Sequence, residues 1–396
     1  MSERPPVRTK ENFLVFGSPA LEQAEIDEVV ACLKSRWIGT GPRTAQFERD
    51  FAAYKGVPAA VALHSCTAAL HLAMVALNLK PGDEVITTPL TFCATVNAIL
   101  HAGGTPVLAD IDPASLNIDP EKVREKITPR TRAILPVHFA GRPCDMDALL
   151  ALAKEHKLAV IEDCAHAIET LYHGRHAGTL GDFGCFSFYV TKNIITGEGG
   201  MVVAKNPDDL ARIKVLGLHG MSADAWKRFG DEGYKHYAVV EAGFKYNMMD
   251  IQAALGIHQL PRVDAYHARR EAVWEAYDTA FAGLPQGKRL GLPAPQEPGT
   301  LHARHLYTVL VDKEACGIER DDFLMAMTKQ GIGVGVHYLS LPEHPYYQER
   351  LGWTPAQYPE AARIGRQVVS LPISARLEEQ DVSDVITAVK RVLEVE

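Results

Sequence analysis

The sequence predicts an α/β fold, in which a large domain built on a mainly parallel, seven-stranded sheet flanked by helices precedes a smaller C-terminal α+β domain. First, short apolar and β-branched runs alternate with helical patterns between residues 58 and 204, as in βα units. Second, a long charged helical segment leads into the Pro/Gly-rich stretch 284–300, which indicates a domain boundary or a long connection. Third, residues 301–396 alternate strand and helix patterns again.

The predicted strands of the sheet are short apolar runs, which suit a buried parallel sheet. In chain order they are PAAVAL, DEVITT, TPVLAD, RAILPV, LAVIED, FGCFSFYV and GMVVA. The candidate helices between them carry an apolar stripe at helical spacing. They include TAALHLAMVALNL (67–79), TFCATVNAILHAG (91–103) and DMDALLALAKEHK (145–157). Strands and helices that alternate in this way build a layered α/β domain.

The C-terminal part has strands and helices of its own. In order, the pattern predicts the strand LYTVLVD, the helix DDFLMAMTKQG, the strand GVGVHYL and the closing helix EEQDVSDVITAVKRVLEV. We therefore predict a large domain over 1–260, with an N-terminal arm over 1–35. A long connecting helix and a small α+β domain are predicted to make up 261–396.

Composition and charge disfavour several classes of function. Of the 396 residues, 47% are hydrophobic and 23% are charged, which is ordinary for a soluble globular protein. A net charge of −8 without a Lys/Arg cluster disfavours nucleic-acid binding. The seven cysteines are scattered and form no CxxC pair, so neither a disulfide framework nor a metal site is predicted. Because no signal peptide or membrane-spanning run is found, we expect a cytoplasmic protein without a membrane partner.

The stretch GCFSFYVTKNIITGEGGMVVA (184–204) places Lys192 where a predicted strand ends. Partial burial there would favour loss of the ammonium proton, which a nucleophilic or Schiff-base lysine requires. A lysine on a surface turn is the ordinary alternative, and one lysine alone does not decide between the two. Gly197, Gly199 and Gly200 supply a tight turn and also permit close approach of the backbone to a ligand.

Other segments carry side chains that suit a cofactor site. Asp163 ends the strand of VIEDCAHAIE, at the edge where open α/β sheets bind ligands, although capping a helix is an alternative role. Ser65 and Thr67 lie at the start of an Ala-rich helix, where an N-terminus can bind phosphate or Ser65 can simply cap it. Phe92 follows a strand and would stack on a flat ring or pack in the core, and Ser187 offers a further hydroxyl.

Over nearly its whole length the chain closely resembles the fold-type I pyridoxal phosphate enzymes of the DegT/StrS sugar-aminotransferase family. The resemblance rests on the order and spacing of SCTAAL, TFCAT, EDCAHA, FSFYVTKN with GEGG, and GFKYNMMDIQAALG. Two further segments are similar to family segments, WIGTGPRTAQFERDFA (37–52) and GVGVHYLSLPEHPYY (333–347).

The resemblance implies a site for pyridoxal 5'-phosphate (PLP). Lys192 would hold the cofactor covalently as a Schiff base, Asp163 would pair with its pyridinium nitrogen, and His166 would lie near its ring hydroxyl. Phe92 would cover the ring. The phosphate would be held, partly through backbone N–H groups, by Ser65, Cys66, Thr67 and Ser187.

The resemblance also implies a partner subunit and a reaction. Asn247 would reach the phosphate of the neighbouring subunit's cofactor, which implies a homodimer with shared active sites. In a ping-pong transamination, Lys192 would move protons while an amino group passes from glutamate to a keto-sugar linked to a nucleotide diphosphate. The GEGG form favours C4 of a 4-keto-6-deoxy sugar. The sugar pocket would include Thr40 and His337, within the segments 37–42, 218–246 and 333–347, although a structural role in a turn is an alternative for His337.

Two positions depart from the family pattern. Cys66 replaces a glycine, and Glu343 and His344 stand where many relatives carry another His-bearing pattern, which leaves the identity of the sugar open. An aminotransferase for a cyclitol or another non-nucleotide keto-carbohydrate and a noncatalytic PLP-binding regulator remain as alternatives. A dehydratase is disfavoured because such relatives replace the lysine that Lys192 supplies. A nucleotide-sugar oxidoreductase is rejected because no GxGxxG follows the first strand.

Overall fold

The structure of the protein, a computed structural model, describes residues 5–222 and 237–395. The helices of these residues are α1 (Gln23–Ser35), α2 (Pro42–Lys55), α3 (Cys66–Ala76), α4 (Cys93–His101), α5 (Pro120–Lys126), α6 (Met146–His156), α7 (Pro207–Leu216), α8 (Asp250–Gln259), α9 (Val263–Ala282), α10 (Lys313–Cys316), α11 (Arg320–Lys329), α12 (Pro345–Leu351), α13 (Pro359–Gln367) and α14 (Glu379–Val392). The strands are β1 (Val61–Leu63), β2 (Glu84–Thr87), β3 (Thr105–Leu108), β4 (Thr131–Leu135), β5 (Ala159–Asp163), β6 (Leu171–Tyr172), β7 (Arg175–His176), β8 (Phe183–Ser187), β9 (Gly200–Ala204), β10 (Thr300–Leu301), β11 (Tyr307–Leu310) and β12 (Val368–Leu371).

The main sheet has seven strands in the order β1-β9-β8-β5-β4-β2-β3. The five strands from β8 to β3 pair in parallel, whereas β9 is antiparallel to both of its neighbours. Each strand predicted between residues 58 and 204 contributes to this sheet, so the predicted mainly parallel, seven-stranded architecture is confirmed. In the β5–β8 pair Asp163 lies opposite Cys185, so the two strands end within two residues of each other at the same edge of the sheet.

Helix α3 is buried on nearly all sides, because its sequence CTAALHLAMVA is small or apolar at most positions. It packs against β8 and β9 and contributes to one core cluster with strands β1, β2, β4 and β5. Small side chains allow a helix to approach a sheet closely, and the apolar area removed from water stabilises this contact. The packing brings the first turn of α3 to the edge where β5 and β8 end.

One predicted strand of the C-terminal part is wrong. Residues 333–339, GVGVHYL, form only one bridge, between Gly335 and Ser370, and the partner of β11 is instead β12. The sequence VVSL of β12 is buried at every position and pairs with β11 along its whole length. His337 and Tyr338 turn toward other side chains, Ser370 and His166 respectively, and do not extend a ladder.

The N-terminal segment packs on the C-terminal part of the chain. Leu14 bridges to Ile332 and belongs to the same core cluster as β11, β12 and α14, while Arg8 forms ion pairs with Asp381 and Asp384. Helix α1, in contrast, packs against α8. The division at residue 260 stays a prediction. Among the described residues, no helix combines the length and apolarity that crossing a membrane requires.

Candidate active site

The carboxyl ends of β5 and β8, the first turn of α3 and the start of α4 surround a cavity of about 540 Å³. Its position matches the rule that open α/β sheets bind ligands beyond the carboxyl ends of their strands. The structure brings together in its wall nearly all of the side chains predicted from the sequence, namely Ser65, Cys66, Thr67, Phe92, Asp163, His166, Ser187, Lys192 and His337.

Lys192 lies in the turn after β8, where its backbone N–H donates to the carbonyl of Tyr189 at 2.8 Å. The protein desolvates its ammonium group, and this burial lowers the pKa of Lys192 to about 8, against an opposing effect of Cys66 and Asp163. No hydrogen bond from its Nζ to another described residue is found. The site therefore holds an amine that loses its proton far more readily than a surface lysine and that faces an open cavity.

Asp163 ends β5 and is fully enclosed. One carboxylate oxygen accepts a hydrogen bond from the Ala165 N–H at 3.1 Å, and the other accepts the Thr95 hydroxyl at 2.9 Å. Burial raises the pKa of Asp163, while these two hydrogen bonds and the charge of Lys192 act in the opposite direction. A carboxylate accepts about four hydrogen bonds, so this one retains capacity to bind a cation in the cavity.

The start of α3 forms the polar end of the cavity. Ser65 is the N-cap, and its Oγ accepts the Ala68 N–H at 3.1 Å, so the capping role considered from the sequence is present. The preceding N–H groups of the first turn have no acceptor within the helix, and together with the Thr67 hydroxyl they form a site for an anion. A Cβ on Gly200 would lie 2.5 Å from the backbone nitrogen of Cys66, so only glycine allows this approach.

His166 is buried between two partners. Its Nδ1 accepts the Ala140 N–H at 3.2 Å, and its Nε2 lies 3.1 Å from the Tyr338 hydroxyl. Burial lowers the pKa of His166 well below its ordinary value, and the nearby Lys192 and His305 lower it further. His166 is therefore a neutral imidazole with both ring nitrogens engaged.

Phe92 is the N-cap residue of α4 and is 58% exposed, with its ring 6.0 Å from that of Tyr338. Of the two readings left open by the sequence, the core position is therefore excluded. Its exposed ring lines the cavity and is free to stack on a planar ligand.

Two predicted site residues, Thr40 and Asn247, lie in a different cavity of about 470 Å³. There the Asn247 amide donates to the Thr40 hydroxyl at 2.6 Å, and the Thr40 hydroxyl donates to the carbonyl of Met248. This position agrees with the expectation that Asn247 contributes to the Lys192 cavity of a neighbouring subunit and not to that of its own chain. The role itself stays a prediction. Within the predicted pocket segment 218–246, residues 223–236 lie outside the described residues.

The cavity also contains polar residues that were not predicted from the sequence: Thr91, Thr95, Tyr189, Thr191, Glu198 and Tyr338. Thr91 and Thr95 occur in TFCAT, one turn apart at the start of α4, and that spacing is the signal that could have identified them. Tyr338 carried no such signal, because its segment reads as a strand.

A buried hydrogen-bond network fixes the residue after Lys192. The amide of Asn193 donates to Glu169 at 2.8 Å and to the carbonyl of Ala303 at 3.0 Å, and its oxygen lies 2.8 Å from Nδ1 of His305. Arg270 neutralises Glu169 in a fully enclosed ion pair. The network holds the turn that carries Lys192 in one conformation.

Comparison with known proteins agrees with this geometry. The model of the DegT/DnrJ/EryC1/StrS aminotransferase family matches residues 19–390. The chain is 46% identical over 388 residues to the spore coat polysaccharide biosynthesis protein SpsC of Bacillus subtilis (strain 168), which covers 98% of this chain and 99% of SpsC.

Solved structures show the same similarity. The putative sugar aminotransferase Spr1654 from Streptococcus pneumoniae, in its PMP form, superimposes with a TM-score of 0.88 at 33% identity, over 96% of this chain and 98% of that one. Its PLP form gives a TM-score of 0.88 at 32% identity, over 96% of this chain and 99% of the other. Helicobacter pylori PseC, an aminotransferase involved in the biosynthesis of pseudoaminic acid, gives 0.89 at 28% identity, over 97% and 100%.

These matches confirm the predicted fold type, enzyme class and cofactor, pyridoxal 5'-phosphate. The chain belongs to the DegT/DnrJ/EryC1/StrS aminotransferase family, and it is a PLP-dependent sugar aminotransferase.

Proposed function

We propose that this enzyme transfers an amino group from glutamate to a keto-sugar linked to a nucleotide diphosphate, preferably at C4 of a 4-keto-6-deoxy sugar. The observation that carries the proposal is the cavity itself. It combines an amine whose pKa is about 8, a buried carboxylate with spare acceptor capacity and the N-terminus of a helix. The names of the relatives SpsC and PseC, which concern polysaccharide and pseudoaminic acid biosynthesis, support a sugar as the amine acceptor.

The residues of the cavity fit the chemical groups of the cofactor. Asp163 would hold a cationic ring nitrogen, and the turn of Ser65, Cys66 and Thr67, together with Ser187, would hold a phosphate dianion. The close approach that Gly200 permits keeps this turn against the sheet. PLP supplies an electron sink that stabilises a carbanion on the amino-bearing carbon of the substrate.

Lys192 performs the proton transfers in this scheme. An amine of pKa about 8 is partly unprotonated near neutral pH, so it can attack a carbonyl carbon and can accept a proton as a base. With PLP bound, Lys192 would hold the cofactor and would accept and return the proton at the amino-bearing carbon of the substrate. The network around Asn193 holds the turn so that the lysine returns to one position.

We expect the working unit to be a homodimer with shared active sites. Among the described residues that line the Lys192 cavity, Lys192 is the only Lys or Arg, whereas the proposed ligands carry phosphates and carboxylates. Further positive charge near this cavity would favour binding of such ligands. A second copy would supply the amide of Asn247 and the positive charge of Lys245, which donates a hydrogen bond to Asn247.

Amine transfer from ¹⁵N-glutamate, followed by mass spectrometry of the products, tests the proposal. A nucleotide-linked 4-keto-6-deoxy sugar, a nucleotide-linked 3-keto sugar and an inosose are offered separately to the PLP-loaded enzyme. We expect ¹⁵N in the first product. Incorporation only into the inosose would support the cyclitol alternative. Incorporation into none, with PLP bound and unchanged by glutamate, would support a noncatalytic regulator.

A further inference from the structure

We propose that Tyr338 donates its phenolic proton to an oxygen atom of the ligand bound beside Lys192, and that His166 acts as its positioning residue. The proposal rests on the proposed function, because the ligand is the cofactor or keto-sugar that this function requires. Tyr338 lines the cavity, and its hydroxyl lies 3.1 Å from Nε2 of His166.

The proton on the His166 ring is fixed by the backbone. A backbone N–H can only donate, so the Ala140 N–H at 3.2 Å requires an unprotonated Nδ1 on His166. Burial and the neighbouring Lys192 keep the ring neutral by lowering its pKa. A neutral imidazole carries one proton, and here that proton has to be on Nε2.

The direction of the second hydrogen bond follows. Since Nε2 of His166 carries the proton, it donates to the Tyr338 oxygen, and the phenolic proton of Tyr338 is not used in this bond. Among the described residues, Tyr338 has no other hydrogen-bond partner for its hydroxyl. Burial, with a smaller effect of Asp163, raises the pKa of Tyr338 and keeps that proton in place at neutral pH. An oxygen atom of a ligand bound in the cavity would accept this proton in a hydrogen bond.

Packing holds the tyrosine in this orientation. Its ring is nearly parallel to that of His166, at 16°, and meets the ring of Phe139 edge-on at 76°. The main chain on both sides is anchored, because Gly335 and Ser370 exchange backbone hydrogen bonds and the Leu341 N–H donates to the carbonyl of Pro89. A pre-oriented donor loses little conformational entropy when it binds a ligand.

The role of His166 changes accordingly. The resemblance assigns this residue to the ring hydroxyl of the cofactor, yet both of its nitrogens are already engaged within the protein. Tyr338 is the group with a proton to donate, and His166 sets its direction. The acceptor is an oxygen with partial or full negative charge, either the ring oxygen of PLP or the carbonyl oxygen of the keto-sugar.

Tyr338→Phe tests the donor, because it removes the hydroxyl and keeps the ring. PLP is added stepwise to the cofactor-free protein, and its binding is followed by the absorbance of tyrosine and of the cofactor. Amine transfer is then measured on enzyme saturated with PLP. If the acceptor is the ring oxygen, PLP binds about tenfold more weakly. If it is the sugar carbonyl, PLP affinity is unchanged and kcat/KM for the keto-sugar falls about tenfold. Tyr172→Phe, on β6 and outside the residues that line the cavity, is the matched control and changes neither.

The positioning role has its own measurement. In cofactor-free protein labelled with ¹⁵N-histidine, the signal lost in His166→Gln should show the neutral ring with its proton on Nε2 from pH 6 to 8. A proton on Nδ1 would overturn the proposal. So would wild-type PLP affinity together with wild-type kcat/KM in Tyr338→Phe, although the proposed function would then stand. Failure of the wild-type protein to bind PLP would overturn both.

Discussion

Glu162 and Asp163 are adjacent at the end of β5, and both are enclosed, yet their surroundings differ. Successive side chains of a strand point to opposite faces of a sheet. On one face, Glu162 accepts hydrogen bonds from the backbone of Gly178, Leu180 and Gly181 at 2.7 to 2.8 Å, and from His138 at 3.0 Å. On the other face, Asp163 accepts two from the described residues, Ala165 and Thr95.

The two carboxyl groups therefore respond differently to burial. Burial alone would raise the pKa of both. For Glu162 the hydrogen bonds from His138 and from the backbone outweigh burial, and its pKa is lowered. For Asp163 burial prevails and its pKa is raised. A carboxylate whose acceptor positions are all occupied has a structural role, whereas one with unused acceptor positions can bind a cationic ligand.

The same comparison explains a cluster that resembles a metal site. Ligand atoms of His138, Glu162 and Cys164 all lie within 4.8 Å of one another. Each oxygen of Glu162, however, already accepts two hydrogen bonds, and Nδ1 of His138 accepts the Cys144 N–H at 3.1 Å. The cluster stabilises the loop after β7 and leaves no free carboxylate oxygen for an ion.

The largest expected effect follows from the difference in the two carboxylates' neighbours. The charge of Lys192 lowers the pKa of Asp163, so the proton transfers are expected on the face of the sheet that carries Asp163. We expect Lys192→Ala to reduce amine transfer by at least about 10⁴-fold, because both the nucleophile and the base are lost. Lys205→Ala, beyond the far end of β9, should transfer amine at the wild-type rate. Transfer by Lys192→Ala within tenfold of wild type would remove the lysine from the mechanism.

Asp163→Asn separates function from stability. We expect amine transfer to fall about 10³-fold, because a neutral amide does not hold the pyridinium proton. The free energy of unfolding of the cofactor-free protein should stay the same or rise, since the Thr95 hydroxyl can reverse and accept from the new amide. Steady-state kinetics and urea unfolding measure the two quantities. A loss of stability above about 2 kcal/mol would show that Asp163 is structural.

Glu162→Gln should have the opposite pattern. Its amide nitrogen would face an N–H donor whichever way it is turned, so we expect a loss of about 3 kcal/mol in the free energy of unfolding. Urea unfolding of the cofactor-free protein measures this loss. PLP affinity of the folded fraction should be near that of wild type. Wild-type stability in this variant would show that the four hydrogen bonds make no net contribution to the free energy of unfolding.

The pH dependence of stability has opposite signs at the two residues. The pKa of Glu162 is lowered by folding, so its contribution is present above the ordinary carboxyl range and is lost as acidification passes through its folded pKa. The pKa of Asp163 is raised, so the folded state loses stability as pH rises through that value. On acidification, Glu162→Gln should approach wild type, and any advantage of Asp163→Asn should disappear. The same pH dependence of the free energy of unfolding in wild type, Glu162→Gln and Asp163→Asn would contradict this.

The smallest expected effect concerns the hydrogen bond that Thr95 donates to Asp163. Thr95→Val removes one of its two hydrogen bonds with almost no change in shape, which should raise the pKa of Asp163 further. We expect PLP affinity to fall about tenfold. Thr95→Ser keeps the hydroxyl and should restore most of the affinity. Equal affinities for Val and Ser at this position would mean that the hydroxyl does not support the carboxylate.

Local sequence patterns predicted the main parts of the site. Asp163 ends a short apolar run and Lys192 follows another, and parallel strands align such ends at one edge. Ser65 precedes an Ala-rich helix, which indicated both a cap and an anion site. These features depend on a few consecutive residues, so the sequence alone contains them.

The remaining features depend on contacts between distant segments. Tyr338 reaches His166 across 172 positions, and Asn193 reaches His305 across 112. No local pattern specifies such pairs. The strand predicted over 333–339 failed for a related reason, because tertiary contacts of His337 and Tyr338 override the β-branched pattern of their segment.

The most direct test of the account is the visible absorption spectrum of the purified protein with PLP, recorded for wild type and Lys192→Ala before and after glutamate is added. The account predicts that wild type shows the absorption band of PLP joined to a lysine, that glutamate bleaches this band, and that Lys192→Ala lacks it. A wild-type protein without the band despite added PLP, or the same band in Lys192→Ala, would contradict the assignment of the Lys192 and Asp163 cavity as the cofactor site.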